Sequence, residues 1–233
     1  MLLLVLNHAG DMLCGNMVMK MAGKAGLNVR KVVTQEDISN APRSNSDDRR
    51  GLAGAIPLYH IAAAAAREGR SLDEVAALAQ RYADSMATIA VAARCATHPA
   101  TGAEFGDLGD VDMEIGMGQH GEGGGGRQPM KTAKETIEIM ANALVKDIPL
   151  QAGDRAFVMI NGSGATTLME MFILYKDCVH YLEGLGIEVV ANMVGEILTV
   201  QEQAGFQLNI AKWDEEFLRL WNTPAHTPAF FKE

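Results

Sequence analysis

Short apolar runs alternate along this chain with longer stretches of helical period. Leu2–Leu6 is a continuous apolar run that stops at Asn7-His8, and it reads as a buried strand. Met12–Gly23 reads as a helix and Val29–Thr34 as a second strand. A polar loop over Arg43–Arg50 follows, then an alanine-rich helix over Ala55–Glu68. Ser71-Leu72-Asp73-Glu74 is a capping box, in which serine and glutamate each satisfy a free amide at a helix start. Its apolar continuation predicts a helix running to about Cys95. Val111–Gly116 reads as a strand. In Lys131–Lys146, Ile137, Met140, Ala141 and Leu144 recur at helical spacing. Arg155–Asn161, Ile187–Asn192 and Phe206–Ala211 read as strands, Thr167–Leu185 and Asp214–Trp221 as helices, and the proline-containing tail as loose. Strands separated by such helices predict βαβ units and a largely parallel sheet. Ligands in such sheets sit beyond the carboxyl ends of strands.

Composition narrows the class. The chain has 233 residues, 48 % of them hydrophobic, which is enough for a sizeable core in one large or two small domains. Lysine and arginine number 20 against 29 acidic residues, a net charge of −9. That balance argues against a nucleic-acid surface, which needs a basic patch. Cys14, Cys95 and Cys178 are scattered and odd in number, so they form no disulfide or metal pattern and point to a reducing, cytoplasmic compartment. The opening apolar run lacks the basic flank of a signal peptide and is too short to cross a bilayer.

Three strand ends carry unusual loops. In the first, Asn7-His8-Ala9-Gly10-Asp11, the aspartate suits a helix N-cap and also suits a proton acceptor at a strand end. The second, Gly116 to Gly126, sets His120 among seven glycines. Such a run can be a plain linker. Its lack of serine and its preceding Met-Gly-Gln instead favour a loop that displays an imidazole and lets a ligand approach the backbone. The third, Asn161 to Thr167, can be a hydroxyl-lined cradle or a tight turn with a threonine cap. None is a nucleotide loop: the single Gly-Lys, Gly23-Lys24, lacks the Walker spacing. The other histidines show no metal-ligand spacing. Asp47-Asp48-Arg49-Arg50 reads as a solvated loop.

Taken in order, Asn7-His8-Ala9-Gly10-Asp11, Arg49-Arg50-Gly51-Leu52-Ala53-Gly54, Glu114 to Glu122, the Asn161-Gly162-Ser163-Gly164 turn and Leu198–Gly205 resemble the dihydroxyacetone-binding subunit of dihydroxyacetone kinases. The resemblance covers nearly the whole chain. It implies two mixed-sheet α/β domains, residues 1–95 forming the back part of the first and residues 96–233 the second. It implies that His120 adds to the carbonyl of a short ketone to give a covalent hemiaminal, and that Asp11 acts as general base toward the hydroxyl to be phosphorylated. His8 and Gly10 go with them as substrate-pocket residues. It also implies that this chain binds no cofactor or metal. The phosphoryl group, from ATP or a phosphoprotein, would arrive on a nucleotide-bearing partner subunit.

The departures from the family pattern shape the remaining expectations. Leu6 stands where the family usually has a lysine that could stabilise transferring phosphoryl charge. Gly123 replaces a proline. The family's first domain begins about a hundred residues before the Asp11 motif, so the first domain here is expected to be incomplete and completed by a small companion subunit. A homodimer is the other way to cover the same edge. The expected function is the substrate-binding chain of a dihydroxyacetone or four-carbon ketose kinase. A non-catalytic ketone-sensing co-regulator is the alternative.

Overall fold

The computed structural model describes every residue except 119–121, 125 and 229. The chain opens with β1 (Leu2–Leu6), α1 (Ala9–Lys24) and β2 (Arg30–Thr34). β1 and β2 pair in parallel, Leu2 opposite Arg30 and Leu6 opposite Thr34. Next come α2 (Ala55–Arg67), α3 (Leu72–Asp84) and β3 (Met86–Arg94), then β4 (Asp112–Ile115) and β5 (Gly126–Pro129). The rest is α4 (Ala133–Asp147), β6 (Arg155–Gly162), α5 (Leu168–Gly184), β7 (Glu188–Gly195), β8 (Ala204–Lys212) and α6 (Glu215–Trp221).

Six strands form one mixed sheet in the order β5-β4-β3-β8-β6-β7. Within it only β6 and β7 run parallel; the other neighbours are antiparallel. The expectation of a largely parallel sheet is therefore corrected. Two of the antiparallel pairings belong to β3, a segment that the sequence reading assigns to the capping-box helix. Ser85 ends α3, its hydroxyl donating to the Tyr82 carbonyl at 2.8 Å, and the chain then enters the sheet. Met86–Arg94 is rich in alanine, a strong helix former, and its first seven residues are buried. A short run apolar on both sides shows no period that separates strand from helix, so packing decides. β3 lies before residue 95, yet its pairing partners β4 and β8 lie after it.

Alternation along the strands sorts the core into two layers. Ala156, Val158 and Ile160 of β6 pack with Leu208 and Ile210 against α4 and α5. Phe157 and Met159 face the other way, toward α2, α3 and α6, where Trp213 stacks on Phe157 with ring centroids 4.6 Å apart. The tail is not loose. Ala225–His226 pairs with Phe231–Lys232, and Phe230 packs on Trp221.

The segment between β2 and α2 ties the small parallel pair to the main sheet. Asp37 bridges to Thr88 of β3, and the Ile38 amide donates to the Thr88 carbonyl at 3.0 Å. The expected solvated loop at Arg49 and Arg50 is corrected: they are 1 % and 8 % exposed. Arg49 grips both carboxylate oxygens of Asp147, at 2.5 and 3.0 Å, and Arg43 adds a bond to Asp147 Oδ2 at 2.7 Å. Burial opposes ionisation of Asp147, but these hydrogen bonds and charges outweigh it and hold its carboxyl below the usual value. The start of α2 is held by buried polar side chains. Leu52 donates its amide to Glu36 Oε1 at 2.7 Å, and Ala53 donates to Gln207 Oε1 at 3.0 Å. Burial pushes Glu36 up to about 8.

Two stability predictions follow from these carboxyls. Asp147→Asn strands the buried Arg49 charge, and urea denaturation is expected to show a loss of about 3–5 kcal/mol. Because the Asp147 pKa is lowered in the folded state, its contribution is complete above the ordinary carboxylate range and fades as pH falls through the lowered value. The gap between wild type and Asp147→Asn should therefore narrow in acid. Glu36 has the opposite sign. Its raised pKa favours the protonated folded state, so wild type should lose stability relative to Glu36→Gln as pH rises from the ordinary value toward about 8. A flat difference over that window would show that Glu36 is ionised in the fold.

Candidate functional site

The site is built around the carboxyl end of β1. His8 is the N-cap of α1, with extended backbone at φ −126° and ψ 148°, and it makes no side-chain cap bond. Asp11 is therefore not the cap. It sits in the first turn of α1, where the helix dipole favours a negative charge, and it is exposed. Among the described residues no hydrogen bond or ion pair engages its carboxylate, which leaves both oxygens for a ligand. Gly10 is also exposed, with nothing within 4 Å of where a Cβ would stand. His8 Nε2 lies 2.8 Å from the Gly51 carbonyl. A carbonyl only accepts, so the proton in this bond is on Nε2. Asn7 donates to the carbonyls of Asp47 and Arg49 at 2.9 and 2.6 Å.

Burial raises the Tyr59 hydroxyl of α2, helped by the charges of Glu36 and Asp11. Tyr59 therefore shares the electrostatic surroundings of the Asp11 turn, although no motif marked it.

The glycine loop leaves the end of β4. Gly116 turns with φ +90°, and a Cβ there would stand 2.7 Å from the Ser39 side chain. Arg50 reaches this loop, its Nη2 donating to the Gly116 carbonyl at 2.9 Å and its Nη1 pairing with Glu122 Oε1 at 3.1 Å. Gly118 has no room for a side chain, since its Cβ would fall 2.1 Å from Arg50 Nη1. The Gly118 amide donates to the Glu122 carbonyl at 2.7 Å, and Gly124 donates to Glu114 Oε1 at 2.7 Å. These glycines serve close packing of the loop on itself and on Arg50, which is not how a linker behaves. His120 lies outside the described residues, as do Gln119, Gly121 and Gly125.

The third loop proves to be structural. Asn161 is fully buried; its Oδ1 accepts from the amides of Ile197 and Leu198, and its Nδ2 donates to the Leu198 carbonyl. Thr167 caps α5 in a capping box with Glu170, and Thr166 donates to the Gly205 carbonyl at 2.6 Å. The tight-turn reading holds, and the hydroxyls of Thr166 and Thr167 are already engaged. His60 bonds the distant Trp221 carbonyl, and His98 accepts from the nearby Ala100 amide. Among the described residues no three His, Cys, Asp or Glu side chains are grouped to hold a metal ion. No helix among them is long and apolar enough to cross a membrane.

The structure thus joins the two loops through residues 49–51, of which Arg49 and Arg50 read from sequence as part of a solvated loop. Arg49 and Gly51 touch the Asn7–His8 turn on one side, and Arg50 between them touches the glycine loop on the other. Asp147 and Asp37 hold Arg49 and Arg50, and Glu36 and Gln207 hold the amides of Leu52 and Ala53 that follow.

Residues 1–229 match the model of the Dak1 domain. The dihydroxyacetone-binding subunit DhaK of PTS-dependent dihydroxyacetone kinase 1 from Listeria innocua is 33 % identical over 230 residues, covering 98 % of this chain and 70 % of that protein. The L-erythrulose kinase of Pectobacterium atrosepticum is 33 % identical over 97 % of this chain, which spans 39 % of that enzyme. Among solved structures, the dihydroxyacetone kinase operon co-activator Dha-DhaQ superposes with a TM-score of 0.90 at 28 % identity, over 96 % of this chain and 69 % of that one. The fold, the ordered motifs and the match over residues 1–229 place this chain in the Dak1 domain family.

Proposed function

We propose that this chain is the substrate-binding chain of a kinase acting on dihydroxyacetone or a similar short ketose. The observation that carries the reading is the pairing of the exposed, uncommitted Asp11 carboxylate with the glycine loop of His120, the two joined by Arg49-Arg50-Gly51. The similarity to a dihydroxyacetone-binding subunit and to an L-erythrulose kinase supports the ketone substrate. In this reading an unprotonated nitrogen of the His120 imidazole attacks the carbonyl carbon. The new C–N bond replaces the C=O π bond. The carbonyl oxygen takes up a proton as the ring loses its N–H proton to solvent, leaving a neutral hemiaminal. Glycerol has no carbonyl and is refused by chemistry. Asp11 accepts the proton of the hydroxyl that attacks phosphorus. His8 and Gly10 line the substrate side of the same turn.

The chain itself holds no cofactor in this reading, and its place is the cytoplasm. The phosphoryl group comes from ATP or a phosphoprotein through a nucleotide-bearing partner chain. A companion polypeptide, or a second copy of this chain, covers an apolar surface at the amino-terminal sheet. That surface comprises the side of β1 away from β2, together with Leu13, Met17 and Met21, which α1 exposes.

A second reading has its own support. The co-activator superposes closely, and Leu6 puts no cation beside the Asp11 turn. In that reading the chain senses a ketone without passing phosphate.

Asp11→Asn should bind ketone as wild type does and lower turnover with the nucleotide-bearing partner by about 10²–10⁴-fold. His120→Ala should abolish the adduct, read as the loss of the shifted carbonyl-carbon signal of labelled dihydroxyacetone. An adduct in wild type with no phosphorylated product from either donor would establish the sensor reading. An unchanged free-ketone signal at saturating wild-type protein would overturn both.

A further inference from the structure

We infer that Arg50 is a positioning residue that holds the glycine loop in register with the Asn7–Asp11 turn, and that ketone capture depends on its fork. The inference rests on the ketone-binding reading above. Arg50 has one guanidinium and four acceptors. Its Nε donates to Asp37 Oδ2 at 2.7 Å, its Nη2 to the Gly116 carbonyl at 2.9 Å and to Ser39 Oγ at 3.1 Å, and its Nη1 pairs with Glu122 Oε1 at 3.1 Å. Gly116 and Glu122 lie on either side of residues 119–121 in the chain, so both flanks of that segment are tied to the same side chain.

The anchor is itself held. Asp37 accepts from the Ser39 amide and hydroxyl at 3.0 and 2.6 Å, and its own amide donates to the Arg50 carbonyl at 3.0 Å. The residues on either side of Arg50 reach the other loop. The Arg49 carbonyl accepts from Asn7 and the Gly51 carbonyl from His8. Gly51 can lie this close only because it has no side chain: a Cβ would stand 2.8 Å from the Asn7 amide nitrogen and from Leu6 Cα. Side chain to one loop and neighbouring backbone to the other, residues 49–51 set the spacing between Asp11 and the glycine loop. A lysine ammonium is a point charge and cannot present the planar fork to these four acceptors.

The test is a titration of the full chain with carbonyl-carbon-labelled dihydroxyacetone, following the adduct signal by NMR, for wild type, Arg50→Lys, Glu122→Gln and the double variant, with thermal unfolding in parallel. Arg50→Lys keeps a positive charge opposite Asp37 and should weaken the adduct by about a hundredfold, the scale of loss for reacting groups displaced by an ångström. Glu122→Gln removes a partly exposed partner, so its melting temperature should match wild type while its ketone affinity falls about tenfold, or roughly 1.4 kcal/mol. The double variant should bind no more weakly than Arg50→Lys, because both substitutions cut the same contact. Should Arg50→Lys fail to fold, Glu122→Gln decides. Folded variants that capture ketone like wild type would overturn the inference, and so would a lowered melting temperature with unchanged capture. Strictly additive losses would overturn it as well. Absence of the adduct in wild type overturns the ketone reading instead, and the inference with it.

Discussion

Two buried guanidinium–carboxylate pairs hold this protein's working parts together. Arg49 with Asp147 and Arg50 with Asp37 lie in the segment that joins the small parallel pair to the six-stranded sheet. Burying such charges costs solvation, and the cost is offset only where geometry is good and further hydrogen bonds complete each group. Both pairs meet that condition. Asp147 receives two arginines, and Asp37 receives Arg50 and both donors of Ser39. Arg49 anchors the segment to the end of α4, and Arg50 anchors it to the glycine loop.

The same segment shows how a hydrophobic sheet accommodates polar work. On β8, Leu208 and Ile210 face α4 and α5, while Gln207 and Asn209 face the other layer. Gln207 there accepts the Ala53 amide, and Glu36 accepts that of Leu52. Unmade, these buried bonds would each leave a desolvated amide, which costs about 1–3 kcal/mol. Gly54 permits the approach, since a Cβ would stand 2.8 Å from Asn209 Nδ2 and 2.9 Å from Glu36 Oε1. The start of α2 is thus set by side chains from β8 and from the stretch after β2, and the Asp11 turn leans on it through Gly51.

This layout suits a binding chain more than a complete catalyst. Asp11 stands in solvent at a helix start, where it can meet a substrate hydroxyl and an incoming phosphoryl donor from outside. The glycine loop is held from behind by Arg50, so positioning comes from the interior and access from solvent. Leu6, next to this turn, supplies no positive charge for a transferring phosphoryl group. In the kinase reading that charge has to come with the donor, because phosphoryl transfer relies mainly on positioning and electrostatic stabilisation.

Much of this was legible in the chain. Local signals were enough for the capping box at Ser71, for the helical period of α4 and for the strand runs of β1, β2, β6 and β8. Caps and periodicity act over a few residues and need no distant partner. Asp11 and the glycine loop stood out by their place at strand ends, although a helix cap and a linker were open as local readings of each. Three matters were decided only by tertiary structure. Met86–Arg94 became the strand next to β8 because burial on both faces overrode the helix preference of its alanines. Arg49 and Arg50 left solvent because Asp147, nearly a hundred residues later, and Asp37 were there to neutralise them. Asp11 lost the cap position to His8, which freed its carboxylate. In each case the deciding partner lies far off in sequence or depends on the exact path of the backbone, and a local pattern carries neither.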